Sequence, residues 1–245
     1  MTTTPEVLVF PDLEALQAAA AERVARLLAA AVEERGHALV ALSGGSAPPG
    51  VFRRLCDAPL REAVPWGQLS VIWADERLVP FDHPESNYGA ARMTLLDHVP
   101  IPSEQIYPVA TYYGLERAAE VYDRQVAALL EAHDGRIDLA LLGMGPDGHT
   151  ASLFPGLPQL DAPAGALALP VAGSPKPPPE RVTLTAHALN RAAHAIFLVA
   201  GADKAARARA ALRGPDDPRA TPAQLVRPPH GQVIWMLDAA AAGEL

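Results

Sequence analysis

Ala38-Leu39-Val40-Ala41-Leu42-Ser43-Gly44-Gly45-Ser46-Ala47-Pro48-Pro49-Gly50 is the stretch on which the fold turns. Five apolar residues, too few for a helix, end at a pair of glycines, which is the pattern of a buried strand. Pro48 or Pro49 suits the first turn of a helix, where the missing N–H is not needed. A strand, a glycine turn and a helix start in succession mark one half of a strand–helix–strand unit.

The same alternation extends outward in both directions. Upstream, Asp12–Gly36 reads as a helix. Asp12 can cap it, Leu16, Val24, Leu27 and Leu28 recur at helical spacing, and Gly36 can close it. Downstream the pattern predicts a strand at Leu69–Ala74, helices at Asn87–Asp97 and Glu116–Ala132, and a buried strand at Ile137–Leu142. Strands at Arg181–Thr185 and Ala195–Ala200, a helix at Asp203–Leu212 and a last strand at Gln232–Leu237 complete it. This order implies an α/β fold: a doubly wound, mostly parallel, Rossmann-like sheet with helices on both faces. The Pro-rich piece Ser174–Pro179 is too short to link domains and reads as a stiff loop. Residues 1–245 are therefore expected to form a single domain.

Composition narrows the function. A net charge of −8 without a basic stripe argues against nucleic acid. Apolar stretches are broken by charge, Gly or Pro well before membrane-spanning length, and Met1–Asp12 lacks a signal-peptide pattern, so a cytoplasmic location is expected. One cysteine, Cys56, excludes an internal disulfide and a cysteine zinc cluster. Of the 20 Lys and Arg residues only Lys176 and Lys204 are lysines. In so Arg-rich a chain each is a candidate for a compact point charge on a phosphate.

In a sheet of this kind ligands bind at the carboxyl ends of the strands, which selects four loops. Ser43, Gly44, Gly45 and Ser46 form an expected anion site, with a helix N-terminus pointing N–H groups at the ligand. A nucleotide P-loop is not supported, because Val51 and Phe52 stand where Lys and Ser/Thr belong. Pro48 likewise breaks the serine nucleophile pattern. The second loop, after the strand Leu69–Ala74, carries Asp75, Glu76 and Arg77. There Arg77 could stabilise an oxyanion and Asp75 could orient substrate.

The third loop, Gly143–Ser152, satisfies G-x-G-x-x-G. However, Asp147 would oppose a pyrophosphate, His149 replaces a small helix-packing residue, and Pro155 and Pro158 cut the next helix short. The glycines are better read as presenting Asp147 and His149 to the cleft, where a histidine beside a carboxylate can act as a general base. In the fourth loop, Lys204 stands at a helix start, where a cation opposes the dipole and suits a bound anion. Lys176 and Arg181 bracket the Pro-rich loop and could add positive charge. A metal held by some of Asp75, Glu76, Asp82, His83, Glu85, Asp147 and His149 is the chemical rival. No histidine pair has ligand spacing such as H-E-x-x-H, so neither metal nor cofactor is expected.

Taken in order, Leu42–Ser46, Trp73–Arg77 with Pro84–Glu85–Ser86–Asn87–Tyr88, Leu142–Pro155, Ser174–Thr185 and Gly201–Ala205 resemble the 6-phosphogluconolactonase family, which is similar to the glucosamine-6-phosphate isomerase/deaminases. The runs Asp147–Ser152 and Ser174–Arg181 are the most specific. The resemblance implies metal-free hydrolysis of 6-phospho-D-glucono-1,5-lactone to 6-phospho-D-gluconate, in the oxidative branch of the pentose phosphate pathway. The deaminase-like branch carries an acid five residues after the loop histidine. Phe154 stands there, so ester hydrolysis is favoured over ring opening. The expected roles are His149 as base, Asp147 or Asp75 supporting it, Arg77 on the oxyanion, and the Ser43–Ser46 loop, Lys176, Arg181 and Lys204 on the phosphate. A sugar-phosphate-binding regulator without turnover is the non-enzyme alternative. The expected partner is a small sugar phosphate rather than nucleic acid or membrane, and the chain is expected to be a monomer or a weak homo-oligomer.

Overall fold

The structure, a computed structural model, describes residues 4–245. In chain order the elements are β1 (Glu6–Phe10), α1 (Leu13–Arg35), β2 (Ala38–Leu42), α2 (Pro48–Leu55), α3 (Leu60–Ala63), β3 (Leu69–Trp73), β4 (Asp75–Arg77), α4 (Asn87–Thr94) and α5 (Leu115–Ala132). There follow β5 (Ile137–Gly143), β6 (Ala168–Val171), β7 (Arg181–Leu184), α6 (Ala186–Leu189), β8 (Ala192–Val199), α7 (Ala205–Arg213) and β9 (Gln232–Asp238).

Six strands form a parallel sheet in the order β1-β9-β8-β5-β2-β3. Because side chains alternate across a strand, β2 divides its apolar residues between two cores. Ala38, Val40 and Leu42 face the core built with α1, α2 and α4, while Leu39 and Ala41 face the one built with α5 and α7. Covered on both sides, β2 and β3 are buried at every position. That burial explains why they read as unbroken apolar runs. The expected doubly wound α/β architecture is present. The sense of winding reverses between β2 and β5, which places a topological switch point there, with a crevice outside the carboxyl ends of those strands.

Local chemistry sets the element ends. The Asp12 side chain accepts from Ala15 N at 2.8 Å, and Gly36 closes α1 at φ 78°, the left-handed region that glycine enters without strain. The helix expected at Asn87–Asp97 stops at Thr94, and a 3-10 turn, Leu96–His98, follows. The helix expected at Asp203–Leu212 likewise begins as a 3-10 turn, Ala202–Lys204, before α7.

The strands also depart from the sequence reading. β1 was not expected. It is a sheet-edge strand whose residues alternate between partial burial and exposure, so it lacks the continuous apolar run of the inner strands. Arg181–Thr185 was placed in the alternating series. Its strand, β7, instead pairs antiparallel with β4 and β6 in a second, three-stranded sheet. Ala74 is where the chain crosses over: its N–H donates to Leu42 O of the parallel sheet and its carbonyl accepts from Leu184 N, both at 2.7 Å. Asp75 and Arg77, expected in a loop, therefore sit in the short strand β4.

β3 lies at the other edge of the parallel sheet, and Tyr122 of α5 satisfies its last residue. The buried hydroxyl accepts from Trp73 N and donates to Trp73 O, each at 2.7 Å. Burial pushes the Tyr122 phenol far above its usual range, so it stays neutral and keeps both bonds. Tyr122→Phe should leave two buried backbone groups unpaired and cost about 2 kcal/mol. For a chain of this size that lowers Tm by roughly 4–8 °C, to be read by thermal melting. Among the described residues no helix is long and apolar enough to cross a membrane.

Candidate active site

The crevice at the switch point is a cleft of about 240 Å³. Its walls are the turn after β2, the start of β4, the loop after β5, the Pro-rich loop before β7 and the segment before α7. Every residue given a catalytic or phosphate-binding role from the sequence lines it except Asp147.

Asp147 stands behind His149. Its Oδ1 is hydrogen-bonded to His149 Nδ1 and also accepts from His149 N at 3.3 Å. The loop that holds this pair is folded tightly on itself. Gly145 N donates to His149 O and Gly148 N to Gly145 O, each at 2.9 Å, and Thr150 Oγ1 ties back to Gly143 O. Two glycines have specific tasks. Gly148 has φ 87°, and a side chain on Gly145 would overlap both the His149 ring and Asp147 Oδ1. The dinucleotide-like spacing thus serves a carboxylate–histidine pair. Partial burial would raise the Asp147 pKa, but the hydrogen bond and charge of His149, with Lys176 nearby, hold it at about 2. Asp147 is therefore a carboxylate throughout the neutral range. His149 Nε2, on the cleft side, has no hydrogen-bond partner among the described residues.

Of the two candidate supports, the fold brings Asp147 and not Asp75 to His149. Asp75 is buried in a separate cluster. Its Oδ2 accepts from Ser152 Oγ at 2.6 Å, Oδ1 accepts from Asn87 Nδ2 at 3.3 Å, and Arg181 Nη1 lies 3.8 Å from Oδ2. Glu76 has a structural task. Its carboxylate accepts from the N–H groups of Arg77, Asn87 and Tyr88 and from Ser86 Oγ, at 2.7–3.2 Å, which anchors the start of α4. Burial pushes its carboxyl up to about 7 against the pull of those N–H donors. Among the described residues no three His, Cys, Asp or Glu side chains converge as a metal-holding group.

The cations divide into three situations. Arg77 is tethered, with Nη1 donating to Glu85 O at 2.7 Å and to Glu85 Oε2 at 3.2 Å. Lys204 lines the cleft with no ion-pair partner among the described residues, which leaves its charge for a ligand. The segment before it is anchored where Gly201 N donates to both oxygens of Asp238, at 3.1 Å. Lys176 reaches to 3.9 Å from Asp147 Oδ1, and Arg181 is buried.

In the Ser43–Ser46 turn the available donors differ from those expected. Pro48 and Pro49 open α2 and carry no N–H, so the available backbone donors are those of the turn itself. Gly45 has φ 105°, and a side chain on Gly44 would overlap the Asn87 amide. Ser43 Oγ, at the cleft wall, is buried without a hydrogen-bond partner among the described residues.

Asn87 and Ser152 were not singled out from the sequence. Uncharged polar residues are common on surfaces, and only their proximity to buried Asp75 reveals them. Phe154 is fully buried, and its ring lies 4.4 Å from that of His149, centroid to centroid. The position that distinguishes the two expected chemistries thus carries an apolar ring packed against the His149 imidazole.

The family model for glucosamine-6-phosphate isomerases/6-phosphogluconolactonase matches residues 11–235. The rat (Rattus norvegicus) 6-phosphogluconolactonase is 42% identical over 240 residues, covering 96% of this chain and 92% of its own. The solved 6-phosphogluconolactonase of Trypanosoma brucei superposes with a TM-score of 0.86 at 30% identity, over 100% of both chains. A monomeric glucosamine-6-phosphate deaminase has a TM-score of 0.82 at 21% identity, covering 98% of this chain and 100% of its own, and shares the fold.

Proposed function

Because this chain belongs to the glucosamine-6-phosphate isomerase/6-phosphogluconolactonase family, we propose how its cleft carries out the lactonase reaction. That reaction is hydrolysis of 6-phospho-D-glucono-1,5-lactone to 6-phospho-D-gluconate, in the pentose phosphate pathway. The observation that carries the mechanism is the Asp147–His149 pair. One ring nitrogen is engaged by a carboxylate behind the cleft wall, and the other, in a ring that lines the cleft, has no hydrogen-bond partner among the described residues.

Asp147 accepts the proton of Nδ1, which leaves Nε2 unprotonated and able to act as a base. Nε2 takes a proton from a water as its oxygen bonds to C1 of the lactone. The carbonyl electrons move to the exocyclic oxygen, and Arg77 stabilises that developing oxyanion. When the tetrahedral centre collapses, the bond from C1 to the ring oxygen breaks. His149 returns its proton to that oxygen, and the new acid releases one proton to solvent. Asp75, held by Ser152 and Asn87, orients the sugar hydroxyls. No metal or cofactor takes part.

The Ser43–Ser46 turn and Lys204, with Lys176 at the cleft margin, hold the 6-phosphate. This remote binding energy places C1 against the activated water. Apolar Phe154 against His149 supports hydrolysis over ring opening, since no acid stands there to protonate a ring oxygen separately. The two sheets share one core, which supports reading residues 1–245 as a single domain; a cytoplasmic monomer or weak homo-oligomer is the proposed form.

The test of the function is acid release after mixing purified protein with freshly made 6-phosphogluconolactone at fixed pH. A rate proportional to protein, above spontaneous hydrolysis, is expected; a rate equal to the spontaneous one would overturn it. Lys204→Ala should raise KM by about 10- to 100-fold while kcat changes little, the loss expected for one charged hydrogen bond to phosphate. An unchanged KM in initial-rate measurements would remove Lys204 from the phosphate site.

A further inference from the structure

We propose that Arg181 is a positioning residue and not a phosphate ligand: its guanidinium binds the Lys176 loop, the Asp75 carboxylate and the Phe154 ring packed against His149 into one rigid unit. This deepens the catalytic reading above and rests on it. Arg181 is 3% exposed although it reaches the cleft. Its donors point mainly into the protein. Nε donates to Pro178 O at 3.1 Å, and Nη2 to Lys176 O at 3.1 Å and Pro177 O at 3.3 Å. Nη1 lies 3.5 Å from Ser152 Oγ and 3.8 Å from Asp75 Oδ2, and Cζ lies 5.5 Å from the centroid of the Phe154 ring.

The loop needs such a partner for a reason set by its sequence. Pro177, Pro178 and Pro179 have no N–H, so these residues cannot dock themselves by donating backbone hydrogen bonds. Their stiffness fixes a shape without fixing where that shape sits. Arg181 meets three consecutive carbonyls with a planar fork, a geometry that a lysine ammonium cannot reproduce. Ser174 Oγ adds a bond to Lys176 O at 2.8 Å. With its carbonyl held twice, Lys176 is placed so that Nζ comes within 3.9 Å of Asp147 Oδ1. On its other side Arg181 shares Ser152 with Asp75 and stands over the ring that packs on His149. Among the described residues it makes no hydrogen bond or ion pair to the dyad, yet it meets Phe154, Ser152 and the Lys176 loop beside it.

The test compares Arg181→Lys, Arg181→Met and Ser152→Ala with the unaltered chain. The readouts are kcat, KM and competitive inhibition by inorganic phosphate. A phosphate ligand would be largely rescued by lysine. A clamp would not, so kcat should fall by about 10-fold or more in both Arg181 variants, the scale expected when reacting groups are misplaced. Phosphate inhibition should stay within about threefold of the original, because no direct phosphate bond is lost. Recovery of kcat in Arg181→Lys, or a tenfold weakening of phosphate inhibition with kcat retained, would overturn the proposal.

If Arg181→Met does not fold, Ser152→Ala decides the matter. It breaks the bridge to Asp75 without removing a charge, and kcat should fall several-fold at constant KM. An unchanged kcat there would overturn the proposal. Amide hydrogen exchange at Lys176 and Glu180 does not depend on turnover. It should accelerate in both Arg181 variants, and unchanged exchange would count against the clamp even if the assigned reaction itself proved wrong.

Discussion

His149→Ala is expected to lower kcat on 6-phosphogluconolactone by at least about 100-fold, with the fold intact. The imidazole is the one group placed both to accept a proton on the cleft side and to be held from behind, by Asp147. Removing it leaves the phosphate site, Arg77 and Asp75 in place, so substrate should still bind and KM should change by less than kcat. The ring is not part of either hydrophobic core, and its main apolar contact is the face of Phe154. Thermal stability should therefore change little, separating loss of chemistry from loss of structure. The measurement is initial acid release at constant pH with the spontaneous rate subtracted. A variant within threefold of the unaltered chain would remove His149 as the base and leave the cleft as a binding site.

The second large effect is expected for Asp147→Asn, a change of one atom behind the cleft wall. Asn can turn its amide N–H toward Nδ1, which would put the proton on Nε2 and leave that nitrogen unable to accept another. In a serine protease triad the equivalent change costs roughly 10,000-fold, and here a loss of about 100- to 10,000-fold in kcat is expected. KM should be nearly unchanged, because Asp147 does not line the cleft. A comparable rise in KM would place Asp147 on the substrate instead.

The same variant carries a pH test. The pKa of Asp147 is depressed to about 2 from its ordinary 3.8. Its contribution to stability should be fully present above about pH 4 and be lost as pH falls toward 2. The difference in Tm between the two proteins should shrink as pH falls below 4. A difference that stayed unchanged down to pH 2 would contradict the assigned ionisation.

Much of the site is legible in the sequence alone. Ala38–Leu42 and Ile137–Leu142 read as buried strands because both faces of the sheet are covered, and strand-end loops then selected Ser43–Ser46 and Gly143–Ser152. Asp147 and His149 stood out as charged residues in a glycine frame. Arg181 was selected for its charge, but its partners are carbonyls of a folded-back loop, which no local pattern reveals. β1 escaped because an exposed edge strand lacks the apolar run of its inner neighbours.

What the sequence by itself determined is the alternation of strands and helices, the position of the cleft and the residues that gather there. Those follow from local periodicity, from turn chemistry and from the rule that parallel strands present ligands at their carboxyl ends. Only the tertiary structure decided which carboxylate serves His149. Asp147 is two residues from His149, and Gly145 leaves room for the pair to meet. Asp75, at the end of a different strand, is drawn instead to Ser152, Asn87 and Arg181. Side chains brought together across 77 and 29 residues of chain, as Ser152 is with Asp75 and with Arg181, leave no trace in local spacing. Their partnerships are set by the packing of the two sheets at Ala74, where the chain leaves one and enters the other.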